Sequence, residues 1–174
     1  DVINLSDKPL FSGTTIREII SNAVSEYFIL LTSDTVNFKI NTISRICEYA
    51  NNSDSVLIFS DYSEVKSGTE KARPLADYQP GSVRDDFNFG KIIVCRTSAA
   101  KKSLPETNLG YAGFYDFRLK LSEAGNFTRI PEILYTIGNS DLRATGEKQF
   151  DYVNPKNREV QIEMEKVFTQ YLKR

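Results

Sequence analysis

Phe28-Ile-Leu-Leu-Thr-Ser-Asp34 is an apolar run that ends in two hydroxyls and a carboxylate. Four consecutive core-type residues without alternation read as an inner strand of a parallel sheet, buried on both faces. In open α/β sheets ligands gather beyond the carboxyl ends of such strands. Asp34 is therefore expected where polyphosphates and cations are held. A carboxylate at such a place can take a hard divalent cation that also touches a diphosphate. Asp is equally a preferred helix N-cap, and a helix beginning near Val36 would use Asp34 in that way.

Outward from this strand the pattern alternates. Ile16, Ile19, Ile20, Ala23 and Tyr27 recur at helical spacing and predict an amphipathic helix from about 14 to 26, with Ser12-Gly13-Thr14-Thr15 to cap it. Downstream, Ile40, Ile43, Cys47 and Ala50 predict a helix from about 36 to 50. After the turn Asn51-Asn-Ser-Asp54, Ser55-Val-Leu-Ile-Phe59 predicts a second inner strand. Strand, helix, strand in this order points to a parallel α/β sheet with right-handed crossovers.

Further along, Ser67-Gly68 marks the turn of a short hairpin, and 74–89 reads as a long loop anchored by Phe87 and Phe89. Lys91 to Arg96 predicts a third strand, and Tyr111 to Ala124 a helix stopped by Gly125. Two short strands, 127–130 and 132–137, complete the sheet. Val160, Met164, Val167, Phe168, Tyr171 and Leu172 form one face of a C-terminal helix after Pro155. There are no repeats, low-complexity tracts or linkers, so a single domain over 1–174 is expected.

The 174 residues are 40% hydrophobic and 26% charged, ordinary for a globular domain long enough to bury a core. A net charge of -1 offers no basic field for nucleic acid. No apolar run approaches the roughly 18 residues of a bilayer span. The absence of His removes serine-type triads, imidazole acid–base chemistry and His-zinc sites, leaving carboxylates, Tyr, Lys, Arg or a metal. Cys47 and Cys95 are too few for a disulfide framework and read as small core residues. Asn51-Asn-Ser and Asn126-Phe-Thr match the glycosylation sequon, a pattern that arises easily by chance.

Gly110-Tyr-Ala-Gly-Phe-Tyr-Asp-Phe-Arg-Leu-Lys-Leu-Ser-Glu-Ala-Gly125, followed by Arg129-Ile-Pro-Glu-Ile-Leu-Tyr-Thr-Ile137, resembles the C-terminal half of family 2 glycosyltransferases of the GT-A fold. Tyr115, Asp116, Leu119, Lys120 and Leu121 fill the family's Tyr-Asp helix pattern, and Arg129 to Tyr135 its Arg-Ile-Pro-Glu-x-Leu-Tyr strand. Ser12 to Asp34 and Asp54 to Glu64 resemble earlier parts of that family, so the resemblance covers about residues 12 to 137. It implies inverting transfer of a sugar from a nucleoside-diphosphate sugar to a glycan or lipid-linked hydroxyl acceptor, with Mg²⁺ or Mn²⁺ on the diphosphate. It further implies a GT-A-like (Rossmann-like) α/β fold, with a mixed, mostly parallel sheet flanked by helices and without its N-terminal strand. A start at Asp1 reads as a piece of a longer protein, and the expected location is cytoplasmic, at or beside a membrane surface.

Two positions depart from the family pattern. Its Asp-x-Asp falls on Thr32-Ser33-Asp34, so one carboxylate is missing, and its Glu-Asp pair, which supplies the general base, falls on Gly113-Phe114. Neither Gly nor Phe can accept a proton. Asp34 is then the expected metal ligand, with Thr32 and Ser33 lining the site, and Asp116 the remaining candidate base. Asp61, which ends a strand, could share the cation with Asp34 or cap a turn. Asp86, within Arg84-Asp85-Asp86, could bind acceptor hydroxyls or sit in a solvated turn. Arg17 could meet a diphosphate through its planar fork or be an ordinary surface charge. The same departures allow a second reading, a glycosyltransferase-like module that binds without turning over.

Overall fold

The structure, a computed structural model, describes residue 9, residues 11–138 and residues 155–174, with side chains from 158 onward in the last stretch. In chain order the elements are α1 (Gly13–Asn22), β1 (Tyr27–Leu31), β2 (Val36–Phe38), α2 (Thr42–Asn52), β3 (Leu57–Lys66) and β4 (Thr69–Arg73). Then come β5 (Ile92–Arg96), α3 (Thr97–Lys102), α4 (Gly113–Ala124), β6 (Phe127–Ile137) and α5 (Pro155–Leu172). The chain forms two compact units. One comprises the described parts of Asp1–Val24, Thr97–Ala124 and Arg143–Arg174; the other comprises those of Ser25–Arg96 and Gly125–Leu142.

The second unit holds a six-stranded sheet in the order β1-β5-β3-β6-β2, with β4 paired to β3. Among the described residues only β3 and β6 run parallel; the β1–β5, β3–β5, β3–β4 and β2–β6 pairings are antiparallel. The expected sheet is therefore mixed, but not mostly parallel. The cause lies in the connections: β4 folds straight back on β3, and the loop after it returns the chain as β5 without a crossover helix. Uninterrupted apolar sequence reports burial on both faces, not strand direction. Leu57, Ile58 and Phe59 of β3 and Ile92 to Cys95 of β5 are all buried, as read. Strand β1 is different. It lies at one end of the strand order, with Ile29 and Leu31 exposed and Leu30 buried, so it is not the inner strand its composition predicts.

No helix starts at Val36. The chain forms β2 there, then turns through Asn41 in the left-handed region (φ 68°), which Asn tolerates better than most residues. Thr42 Oγ1 donates to Lys39 O (2.8 Å) and to Leu134 O, fixing the start of α2 against β6. This start sets the helix phase. Thr42, Ile46 and Ala50 face inward, whereas Ile43 and Cys47 are exposed and Ile40 stands 92% exposed ahead of the helix. Cys95 is the buried cysteine; Cys47 is not.

Both faces of β3 carry core. Ile58 and Tyr62 pack with Ile46, Ala50, Leu134 and Tyr135, the two tyrosine rings stacking at 5.4 Å. Phe59 meets Phe87 and Phe89 edge-on, and Tyr78 and Phe127 join that aromatic group. The long loop is thus anchored by Phe87 and Phe89 as expected. At its end Gly90 (φ 74°) lets the backbone pass Tyr135, where a Cβ would lie 2.2 Å from Oη, and Lys91 N donates to that oxygen at 2.6 Å.

In the first unit, Ser12 caps α1 by accepting Thr15 N at 3.2 Å, and Ile16 and Ile20 are buried. Helix α1 meets α4 at Gly13 and Gly113. A Cβ on Gly113 would lie 2.2 Å from Gly13 N, so only glycine permits this approach. Helix α4 is buried almost all round, and α5 packs on it through Val167, on the face that the sequence predicts. Leu172, at the end of that face, is exposed.

Candidate functional site

β1 and β3 flank β5 and run in the same direction, because each is antiparallel to β5. Leu31 faces Ile92, and Phe59 faces Ile93, so Asp34 and Asp61 fall toward the same end of the sheet. Thr32 N donates to Lys91 O at 3.0 Å and closes the end of β1. Beyond it the chain turns: Ser33 Oγ accepts Thr35 N (3.3 Å), and Thr35 O accepts Gly138 N (3.0 Å). Thr32 and Ser33 are half-buried, while Asp34 is exposed at the turn. The alternative of a helix cap falls away, since Asp34 leads into a strand.

Asp61 does not join it. β5 stands between their strands, and both Asp61 oxygens are occupied: Arg129 Nη1 reaches each at 3.0 Å, and Leu75 N donates to Oδ1 at 2.9 Å. Asp77 takes Arg129 Nε at 2.7 Å. Arg129 therefore ties the start of the loop to β3, at the bulge where the β3–β6 register shifts around Asp61. Nearby, burial pushes the Tyr135 phenol up to about 12, against the opposing amides of Lys91 and Ile92. At the outer part of the loop, Arg84 grips Asp86 with two bonds of 3.0 Å, and this pairing lowers the Asp86 carboxyl from its ordinary range. Both side chains are exposed, so Asp86 sits in the solvated turn that was one of its two readings.

The remaining two candidates belong to the helical unit. Arg17 Nε donates to Pro105 O, which fastens α1 to the segment after α3 and gives this Arg an internal partner. Asp116 is 0% exposed. Its Oδ2 accepts Glu106 N and Lys120 Nζ, each at 2.8 Å, while Oδ1 is buried without a hydrogen bond and lies 3.7 Å from Arg174 Nη2. In this arrangement no acceptor hydroxyl can reach it, so Asp116 serves as the buried counter-charge of Lys120. Phe114, at the other family base position, packs on Phe11 at 5.6 Å.

Sequence reading missed Arg129, Asp77, Tyr135 and Glu163. Arg129 and Tyr135 lie inside the Arg129–Tyr135 strand motif, whose sequence names no partner for either. Glu163 accepts the amides of Gly110, Tyr111 and Ala112 from about fifty residues away, a contact with no local signal.

Among the described residues there is no group of three or more His, Cys, Asp or Glu side chains able to hold a metal. Asp34 with the hydroxyls of Thr32 and Ser33 is a hard-oxygen donor set too small to cage a cation alone. It fits one shared with a diphosphate, since Mg²⁺ is commonly bound by one or two carboxylates plus substrate phosphates.

No family model matches the chain, and no curated protein does. The crystal structure of S. aureus TarS 1–349 superimposes with a TM-score of 0.55 over 79% of this chain, at 14% identity. The chain spans 42% of that chain's length. Among the described residues no helix is long and apolar enough to cross a membrane.

Proposed function

We propose that the chain is part of a glycosyltransferase that moves a sugar from a nucleoside-diphosphate sugar to a hydroxyl of a glycan or lipid-linked acceptor, with inversion at the anomeric carbon. The observation that carries this reading is the glycosyltransferase-like fold shared with TarS. Asp34 would hold the diphosphate through a shared Mg²⁺ or Mn²⁺, with Thr32 and Ser33 beside it. The cation would offset charge that develops on the leaving group. GT-A membership, the donor and the acceptor belong to this proposal.

Calorimetry tests it. UDP, GDP or dTDP should bind more tightly with Mn²⁺ than with EDTA, and Asp34→Ala should remove the difference. Equal affinity with and without metal would withdraw Asp34 from the site. A second reading, a module that binds donor without turnover, is favoured by two facts. Asp116 is sealed, and Gly113 is required for packing, so neither supplies a free carboxylate at the start of α4.

A further inference from the structure

Helix α5 meets α4 and the loop before it through Glu163 at its middle and Arg174 just past its end, with Val167 buried between them. Glu163 places its carboxylate against three successive amides of the loop that leads into α4: Gly110 N at 3.0 Å, Tyr111 N at 2.8 Å and Ala112 N at 3.0 Å. Three parallel N–H donors at the positive end of a helix stabilise an anion there, and the anion is the side chain of another helix. Arg174, eleven residues on, lies 3.7 Å from Asp116 Oδ1 and 3.6 Å from Glu123. The two helices therefore run in the same direction. Between the two anchors Val167 is fully buried, Met164, Phe168 and Tyr171 are half-buried, and Leu172 is exposed. Burial of that extent leaves part of the hold on the 18-residue helix to the two charged contacts.

We propose that α5 is a releasable strap on the helical unit, fastened by the Glu163 carboxylate on the Gly110–Ala112 amides and by Arg174 over Asp116 and Glu123. When fastened, it caps the entry to α4 and places a cation beside a buried carboxylate oxygen that has no hydrogen bond. When released, it leaves three amide donors and that oxygen to solvent, so the opening of α5 and of the 110–112 loop is a single event. This inference goes beyond sugar transfer and stands without it.

Hydrogen–deuterium exchange on the full chain tests it, comparing the parent with Glu163→Gln and Arg174→Ala. A neutral amide replaces a charged acceptor by a weaker one, which should raise exchange at 110–112 and across 158–172 together, by about tenfold or more. Arg174→Ala should raise exchange across 158–172 and at the start of α4, while 57–59 and 92–95 of the sheet stay protected. Unchanged exchange at 110–112 in Glu163→Gln would overturn the proposal. So would a rise there with no change in α5, which would make Glu163 a local cap. Loss of sheet protection in the same variant would also overturn it, since the strap would then not open independently.

Discussion

Gly113 and Tyr135 show how single atoms decide what the chain can do. Gly113 stands where a family base would be, and a Cβ there would meet Gly13 N at 2.2 Å and Ser12 C at 2.4 Å. These are backbone atoms with nowhere to go. Gly113→Ala should destabilise the chain by about 2–3 kcal/mol in urea denaturation, because overpacking against backbone cannot relax by a rotamer change. A loss below about 1 kcal/mol would show that α1 and α4 can part. Gly113→Asp fails for the same reason and cannot restore a base. Tyr135 is predicted to act through pH. Its phenol is pushed up to about 12 by burial, whereas the unfolded chain releases the proton near 10. The unfolded state ionises first, so this contribution is complete below pH 10 and is lost as pH rises toward 12. Alkaline denaturation should be shallower in Tyr135→Phe than in the parent across that window; equal slopes would assign the transition to other groups. The sequence quoted both positions but could not show what faced them, because Gly13 and Lys91 are distant along the chain.

Elements were legible where their signal was local. The Ser12 cap, the Ser67-Gly68 hairpin and the loop anchored by Phe87 and Phe89 stand as read, because each depends on residues a few positions apart, whereas of the predicted face of α5 Val167 is buried and Leu172 is exposed. Strand direction was not legible, since β5 acquires its antiparallel place from pairings with β1 and β3 that no periodicity encodes. The α2 region failed differently. Ile43 and Cys47 compete with Thr42, Ile46 and Ala50 for the inward face, and the contact of Thr42 with Leu134 settles the phase. At this scale Asp61 joins β3, β6 and the loop through Arg129. Asp61→Ala leaves a largely buried guanidinium with the exposed Asp77 as its remaining carboxylate partner. The expected loss is about 2–3 kcal/mol, below that of a fully buried pair because Asp77 remains. Arg129→Gln should lose a similar amount, and the double variant less than the sum, measured as a cycle in urea. Strict additivity would mean that the two side chains do not act on each other.

At the scale of the whole chain, the mixed α/β fold was legible from its alternating helices and strands, and turnover, on the proposed function, is where fold and residues part. An inverting transfer needs a base within about 2.6–3.2 Å of the acceptor hydroxyl. Gly113 and Phe114 cannot supply one, and Asp116 has no exposed surface and is already neutralised by Lys120. That spacing of four was readable on the helix, but the closing amide of Glu106 was not. Asp34 stays exposed at the turn beyond β1. Residues 1–174 on their own are therefore expected to bind a nucleoside diphosphate and to release no sugar. Mass spectrometry across UDP-, GDP- and dTDP-sugars, with Mn²⁺ and without acceptor, reads free sugar directly. Silence across the panel, with nucleotide binding retained, is the expected result. Metal-dependent sugar release that disappears in Asp116→Asn would mean that Lys120 and the Glu106 amide let go of this carboxylate, and Asp116 would then be the base.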